Sequence, residues 1–130
     1  MELQDLMQSL SLSGCDQSQS KTFNVTALDI GENHTDIVYG EFTNKHMIIA
    51  TQYGNIGSLL RITVDDALTG DTTTPVYSVH VIFGSDNEDQ QAAARFIAES
   101  LNIRKPLMLF LCLKDYESST VNTLVRALSE

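Results

Sequence analysis

Three histidines, His34, His46 and His80, are the side chains here best suited to metal binding or to proton transfer near neutral pH. Each falls in a strand-like segment. None has a Cys, a second His or a carboxylate at metal-ligand spacing, so no metal site is expected. His80 interrupts an apolar strand and suits an interface or a satisfied core position. Asp65, Asp66 and Asp71 could hold a cation, but their spacing does not follow the EF-hand rule and a solvated acidic loop explains them better. No G-x-S-x-G nucleophile motif is present. Cys112 lies inside the apolar run 107-LMLFLCL-113, where a buried thiol is inert. Asp115 follows that run and precedes a helical pattern, so turn or cap chemistry accounts for it. No catalytic residue and no cofactor are expected.

The stretch 51-TQYGNIGSLL-60 is the remaining candidate. Gly54-Asn55-Ile56-Gly57 is neither G-x-G-x-x-G nor a P-loop, and no lysine follows to meet a phosphate. A GXXG nucleic-acid loop joins helices in a basic surround. This one joins two apolar, strand-like segments of an acidic protein. Local rules make it a hairpin loop whose glycines permit positive φ.

The balance of 17 acids to eight bases, a formal net charge of −9, argues against a phosphate backbone as the main partner. The 130 residues fit one domain, and 42% hydrophobic content can fill one core. Two cysteines without a framework, and an N-terminus with neither a basic start nor an apolar run, point to a reducing compartment. The expected localisation is cytoplasmic, with the nucleus as a second compartment.

Residues 1–20 are rich in Ser, Gln, Leu and Asp. Leu3, Leu6, Met7 and Leu10 share helical spacing over barely two turns, which is marginal in water. They read as a flexible tail before a single domain over 21–130. Segments 22–30, 34–42, 46–53, 58–64 and 75–84 read as strands, and 65–74 as a polar loop. The period then changes. Ser85 to Glu88 matches a capping box, and Ala93, Phe96, Ile97 and Leu101 recur at helical spacing through Ile103. Residues 107–113 form a further strand. Val121, Leu124, Val125 and Leu128 define a last amphipathic helix, with Ser118 or Ser119 as its cap. The order is β-β-β-β-β-α-β-α. It specifies an α+β fold, a mainly antiparallel six-stranded sheet with two helices from the C-terminal half on one face.

Run 107–113 is apolar on both faces, which requires cover on both sides. Two helices of about four turns cover roughly one face of a small sheet. The other face then needs a partner chain, or the sheet must close into a barrel. Pairing is the favoured reading.

The stretch 48-IIATQYGNIGSLL-60 resembles the signature region of the proteasome assembly chaperone 3 family, in which an apolar strand runs into Thr-Gln-aromatic-Gly-x-x-Gly. Thr74-Pro75-Val76 opening a strand, Val81-Ile82-Phe83-Gly84 before acids and a helix, and 107-LMLFLCLKD-115 before a last helix are similar to its later segments. The resemblance covers roughly residues 22–129, and the opening LQDLMQSLSLSG resembles plant-type members. It implies a non-catalytic chaperone without a cofactor. Such a chaperone dimerises through its open sheet face, usually with a related fourth-type chaperone and otherwise as a homodimer. The pair binds α-type proteasome subunits, in particular the fifth, and promotes α-ring assembly. No nucleic-acid or membrane partner is expected. The dimer-face candidates are Val76, Ser78, His80, Ile82, Met108, Phe110 and Cys112. Tyr77, Val79, Val81 and Phe83 are assigned to the core, and a one-residue slip would invert both sets. The α-subunit contact candidates are Gln52, Tyr53, Asn55, Asp65, Asp66 and Asp71. The rival reading is a dimeric roadblock- or longin-like interaction module in trafficking or scaffolding. Those folds usually begin or interleave with helices, whereas here five strands precede the first strong helix.

Overall fold

The computed structural model describes residues 23–52, 57–84 and 87–129. The tail expected at 1–20 lies outside the described residues. Strands β1 (Asn24–Ile30), β2 (Asn33–Glu41), β3 (His46–Thr51), β4 (Ser58–Thr69) and β5 (Thr72–Phe83) precede helix α1 (Glu88–Ser100), strand β6 (Leu107–Cys112) and helix α2 (Ser118–Ser129). They form the expected α+β fold, with one six-stranded sheet ordered β1-β2-β3-β6-β4-β5. Every pairing is antiparallel except β3 with β6.

The placement of β6 corrects one expectation. β3 and β4 do not form a hairpin around residues 52–57, because β6 inserts between them, parallel to β3 and antiparallel to β4. The connection crosses two strand spacings, about 10 Å. Gly57 serves close approach: a Cβ there would collide with the Leu111 carbonyl oxygen and lie 2.8 Å from the Cys112 Cβ. A strand apolar on both faces thus takes a central position, where both of its edges are paired.

Residues 65–74 are also not a loop. β4 and β5 stay in register from Asp65 opposite Val76 out to Thr69 opposite Thr72, whereas β4 pairs with β6 only over Ser58–Ile62. The outer part of this hairpin is a two-stranded arm. Its turn carries Gly70 at φ +63, and Asp71 has no positive φ, the pattern of a type II′ turn.

Helix α1 is capped by Asn87 rather than Ser85. The Asn87 carboxamide oxygen accepts from the Asp89 N–H at 2.8 Å and the Gln90 N–H at 3.2 Å. The helix ends at Ser100, short of Ile103. Asn102 takes φ 52, and the Asn102 and Ile103 N–H groups donate to the Glu99 and Ala98 carbonyls, a Schellman closure. Ahead of α2, Asp115 holds the turn into the helix, and Ser118 and Ser119 lie inside the helix rather than before it. The Asp115 Oδ1 accepts from the Glu117 N–H at 3.0 Å and the Thr120 hydroxyl at 2.7 Å.

The main core lies between the sheet and both helices. Ile37, Ile48, Leu60, Ile62, Leu107, Leu109 and Leu111 supply the sheet side, and Ala94, Ile97, Ala98 and Leu124 the helix side. Burying side chains of this size stabilises by about 1.5–3 kcal/mol each relative to exposure.

Candidate protein-binding face

Alternation along each strand sends a second set of side chains to the other face. Val38, Met47 and Ile49 form a small cluster there, with Phe23, Phe42, Met108 and Phe110 packed against it. Among the described residues, no helix packs on this outer face. Phe23 and Phe42 meet edge to face with ring centroids 5.7 Å apart, and Lys45 sits 5.5 Å from the Phe42 centroid. Gly40 leaves the space that the Phe23 ring fills, since a Cβ there would collide with it. The β1-β2-β3 part of the face therefore has aromatic cover from its own chain.

The β6-β4-β5 part is more open. Strand register sets Phe110 and Met108 of β6 opposite Leu59 and Arg61 of β4, and Arg61, Thr63 and Asp65 opposite His80, Ser78 and Val76 of β5. The seven proposed dimer-face residues share the outer face, but Val76 lies out on the β4–β5 arm and Ile82 at a shift in the ladder. Val76 is 46% exposed and Ile82 51% exposed. Tyr77, Val79 and Val81 belong to the helix-side core, as assigned. Phe83 does not. The ladder shifts between Leu59 and Leu60, so that Phe83 rather than Ile82 lies opposite Leu59, whose other neighbour is the outer-face residue Phe110. Such a bulge re-aims a side chain, and Phe83 is 48% exposed.

The residues proposed for α-subunit contact divide. Asp65, Asp66 and Asp71 are exposed on the β4–β5 arm, where Leu68 is also exposed. Gln52 is engaged at the foot of the sheet. Its N–H donates to the Cys112 carbonyl at 2.8 Å, its Oε1 accepts from the Lys114 N–H at 2.7 Å, and its Nε2 donates to the Thr35 hydroxyl at 3.2 Å. That triple contact gives the Gln of the T-Q-x-G-x-x-G stretch a structural task. Tyr53 and Asn55 lie outside the described residues.

One polar cluster sits on the helix side, at the opposite end of β3. The imidazole of His46 is about nine-tenths buried, with its Nδ1 2.9 Å from the Tyr39 hydroxyl and 3.9 Å from Glu41. Burial lowers the His46 pKa from its usual value, and the nearby Lys105 lowers it further, against an opposing pull from Glu41. Burial, with Glu41, raises the pKa of Tyr39. Lys105 donates to the Phe42 carbonyl at 2.8 Å and pairs with Glu41 at 3.1 Å. The groove beside them, about 520 Å³, is lined in part by Asn102, Arg104 and Leu128. Its polar groups largely satisfy one another. Among the described residues, no three His, Cys, Asp or Glu side chains converge as metal ligands.

The model of the family described as proteasome assembly chaperone 3 matches residues 48–130, well over half of the chain. The chain belongs to that family. The match starts in β3 and takes in the whole open part of the sheet and both helices. A chain from the crystal structure of a chaperone complex for yeast 20S proteasome assembly shares the fold, with a TM-score of 0.63 at 14% identity over 82% of this chain and 94% of that one. Among curated proteins none matches.

Proposed function

We propose that this chaperone is a non-catalytic assembly factor for the proteasome α-ring. It works as one half of a pair. The open β6-β4-β5 face receives a related small chaperone of the fourth type, and the paired unit binds α-type subunits. The observation that carries the reading is a sheet face with Met108, Phe110, Ile82 and Phe83 in one patch and, among the described residues, no helix over it, in a chain of this family. Exposed apolar patches of this kind mark interaction sites. The solved relative at low identity is part of a chaperone complex, which agrees with work in a pair. The β4–β5 arm, with Asp65, Asp66 and Asp71, extends past the paired sheet and is the proposed contact for a basic surface of an α-type subunit.

The test is an affinity capture of the tagged full chain from its own cell extract, read by mass spectrometry. Recovery of α-type subunits with one other small chaperone, and few mature β-type subunits, is the expected result. Recovery of a small partner without any proteasome subunit overturns the α-ring reading and favours a general interaction module.

A further inference from the structure

The open patch has a charged centre. Arg61 lies on β4 directly between Met108 of β6 and His80 of β5, its opposite numbers in the two ladders. Arg61 and His80 are both exposed. Leu59, Phe110, Ile82 and Phe83 lie beside them on neighbouring positions of the same three strands. Arg61 takes part in none of the ion pairs among the described residues. The next acid along β4 on this face, Asp65, is four residues away, about 13 Å at strand rise. It also lies past Ile62, the last β4 residue that pairs with β6.

We propose that Arg61, flanked by His80, selects the partner. The face accepts a second small chaperone chain whose own apolar sheet surface presents a carboxylate to Arg61, and it disfavours a second copy of this chain. The proposal rests on the outer-face pairing stated above. A guanidinium covered by a partner loses its water, and a well-placed carboxylate is what compensates it. Left unpaired under apolar cover, it opposes association. A two-fold contact whose axis passes through the centre of this patch lays the central residues near their own counterparts, so two identical copies set Arg61 and His80 against Arg61 and His80. A carboxylate-bearing partner meets the same ring of apolar residues and gains a water-excluded, bidentate ion pair at its centre. The charge thus acts as attraction toward one partner and repulsion toward the other, which is how specific interfaces separate two similar choices.

Sedimentation velocity on the full chain and its Arg61→Leu variant reads the repulsive half. The expected result is self-association at least about tenfold tighter in the leucine variant, since the cost of a buried unpaired charge is gone. Native mass spectrometry on a mixture of the wild-type chain with mass-tagged Arg61→Glu reads the attractive half. Mixed pairs in excess over both self-pairs are expected. Unchanged or weaker self-association of Arg61→Leu, or no excess of mixed pairs, overturns the proposal. A further Ile82→Asp change in the leucine variant separates this from failure of the pairing face itself. Loss of the gained self-association places it on this face and supports the proposal, whereas its persistence shows pairing elsewhere and overturns both readings.

Discussion

Strand β6 carries two different environments on one backbone. Leu107, Leu109 and Leu111 face the helices and are essentially inaccessible, while Met108, Phe110 and Cys112 alternate with them and are only half-buried. Both sets are apolar, so hydrophobicity does not separate them. What separates them is what the rest of the chain brings. α1 and α2 pack on the first set, while among the described residues the second receives Phe23 and Phe42 at one side and no helix. The first face specifies the fold of a lone chain. The second retains apolar area that a partner can bury.

The sharpest test substitutes one residue on each face. Leu109→Ala removes a fully buried side chain between two paired strands and the helices. It is expected to destabilise the lone chain by about 2–5 kcal/mol in urea unfolding. Ile82→Asp changes a half-exposed residue of the open face, and its effect on lone-chain stability is expected to stay within about 1 kcal/mol. Its effect belongs to association, where binding to the partner chaperone is expected to weaken about tenfold or more. Equal losses of stability from the two changes would break the division between faces.

Gln52 joins the two environments at the foot of the sheet, because it ties the start of the β3–β4 connection to the end of β6 and to Thr35 of β2. Gln52→Ala leaves the Lys114 N–H without its acceptor and the Thr35 hydroxyl without its donor. A loss of about 1–3 kcal/mol in urea unfolding is expected. Hydrogen exchange at the Lys114 amide should rise more than at Leu109. An effect on α-subunit capture with no change in stability would show instead that Gln52 works as a contact.

The same contrast shows what the sequence conveys and what it does not. The switch from period two to period 3.6 marks α1 and α2, and the two-faced run at 107–113 marks a strand that needs cover on both sides. Locality misleads at residues 52–57, where glycines between consecutive strands imply a hairpin. The strand that separates them arrives some 50 residues later, and its pairing depends on long-range register. Residues 65–74 read as a loop because polar residues dominate, yet the ladder hydrogen bonds of an exposed arm do not require apolar side chains. Phe83 follows the alternation of β5 until a one-residue shift re-aims it, and no residue type announces that bulge. Arg61 is the only charged residue in 58-SLLRITV-64, but nothing in the sequence singles it out. Its importance needed the neighbours that two ladders bring to it.

A smaller effect tests the helix-side face by pH. In the folded chain His46 has a pKa below its unfolded value of about 6.5, chiefly through burial. Below that value the unfolded chain takes up a proton that the folded chain resists. Stability must therefore fall as pH drops through about 6.5 toward the folded pKa. Urea midpoints measured between about pH 7.5 and 5.5 are expected to decline, and His46→Asn is expected to flatten the decline. A slope unchanged by the substitution would remove His46 as its source.

The smallest expected effect on stability lies on the arm, past the part of the sheet that β6 pairs. Asp65, Asp66 and Asp71 are exposed on an arm held by β4–β5 pairing alone, beyond the last contact of β4 with β6. Replacing all three by Asn keeps the side-chain volume and removes three negative charges. Exposed positions of this kind usually shift stability by no more than about 0.5 kcal/mol each. Pairing through the β6-β4-β5 face should persist, because Arg61, Phe110 and Ile82 are untouched. Capture of α-type subunits should drop, and the drop should be largest at low salt, where an acidic arm steers a basic surface best. The arm and the open face would then be two separable surfaces, one for the subunit and one for the partner chain. If the triple variant captured α-type subunits as well as the wild-type chain at every salt concentration, the arm would lose that role.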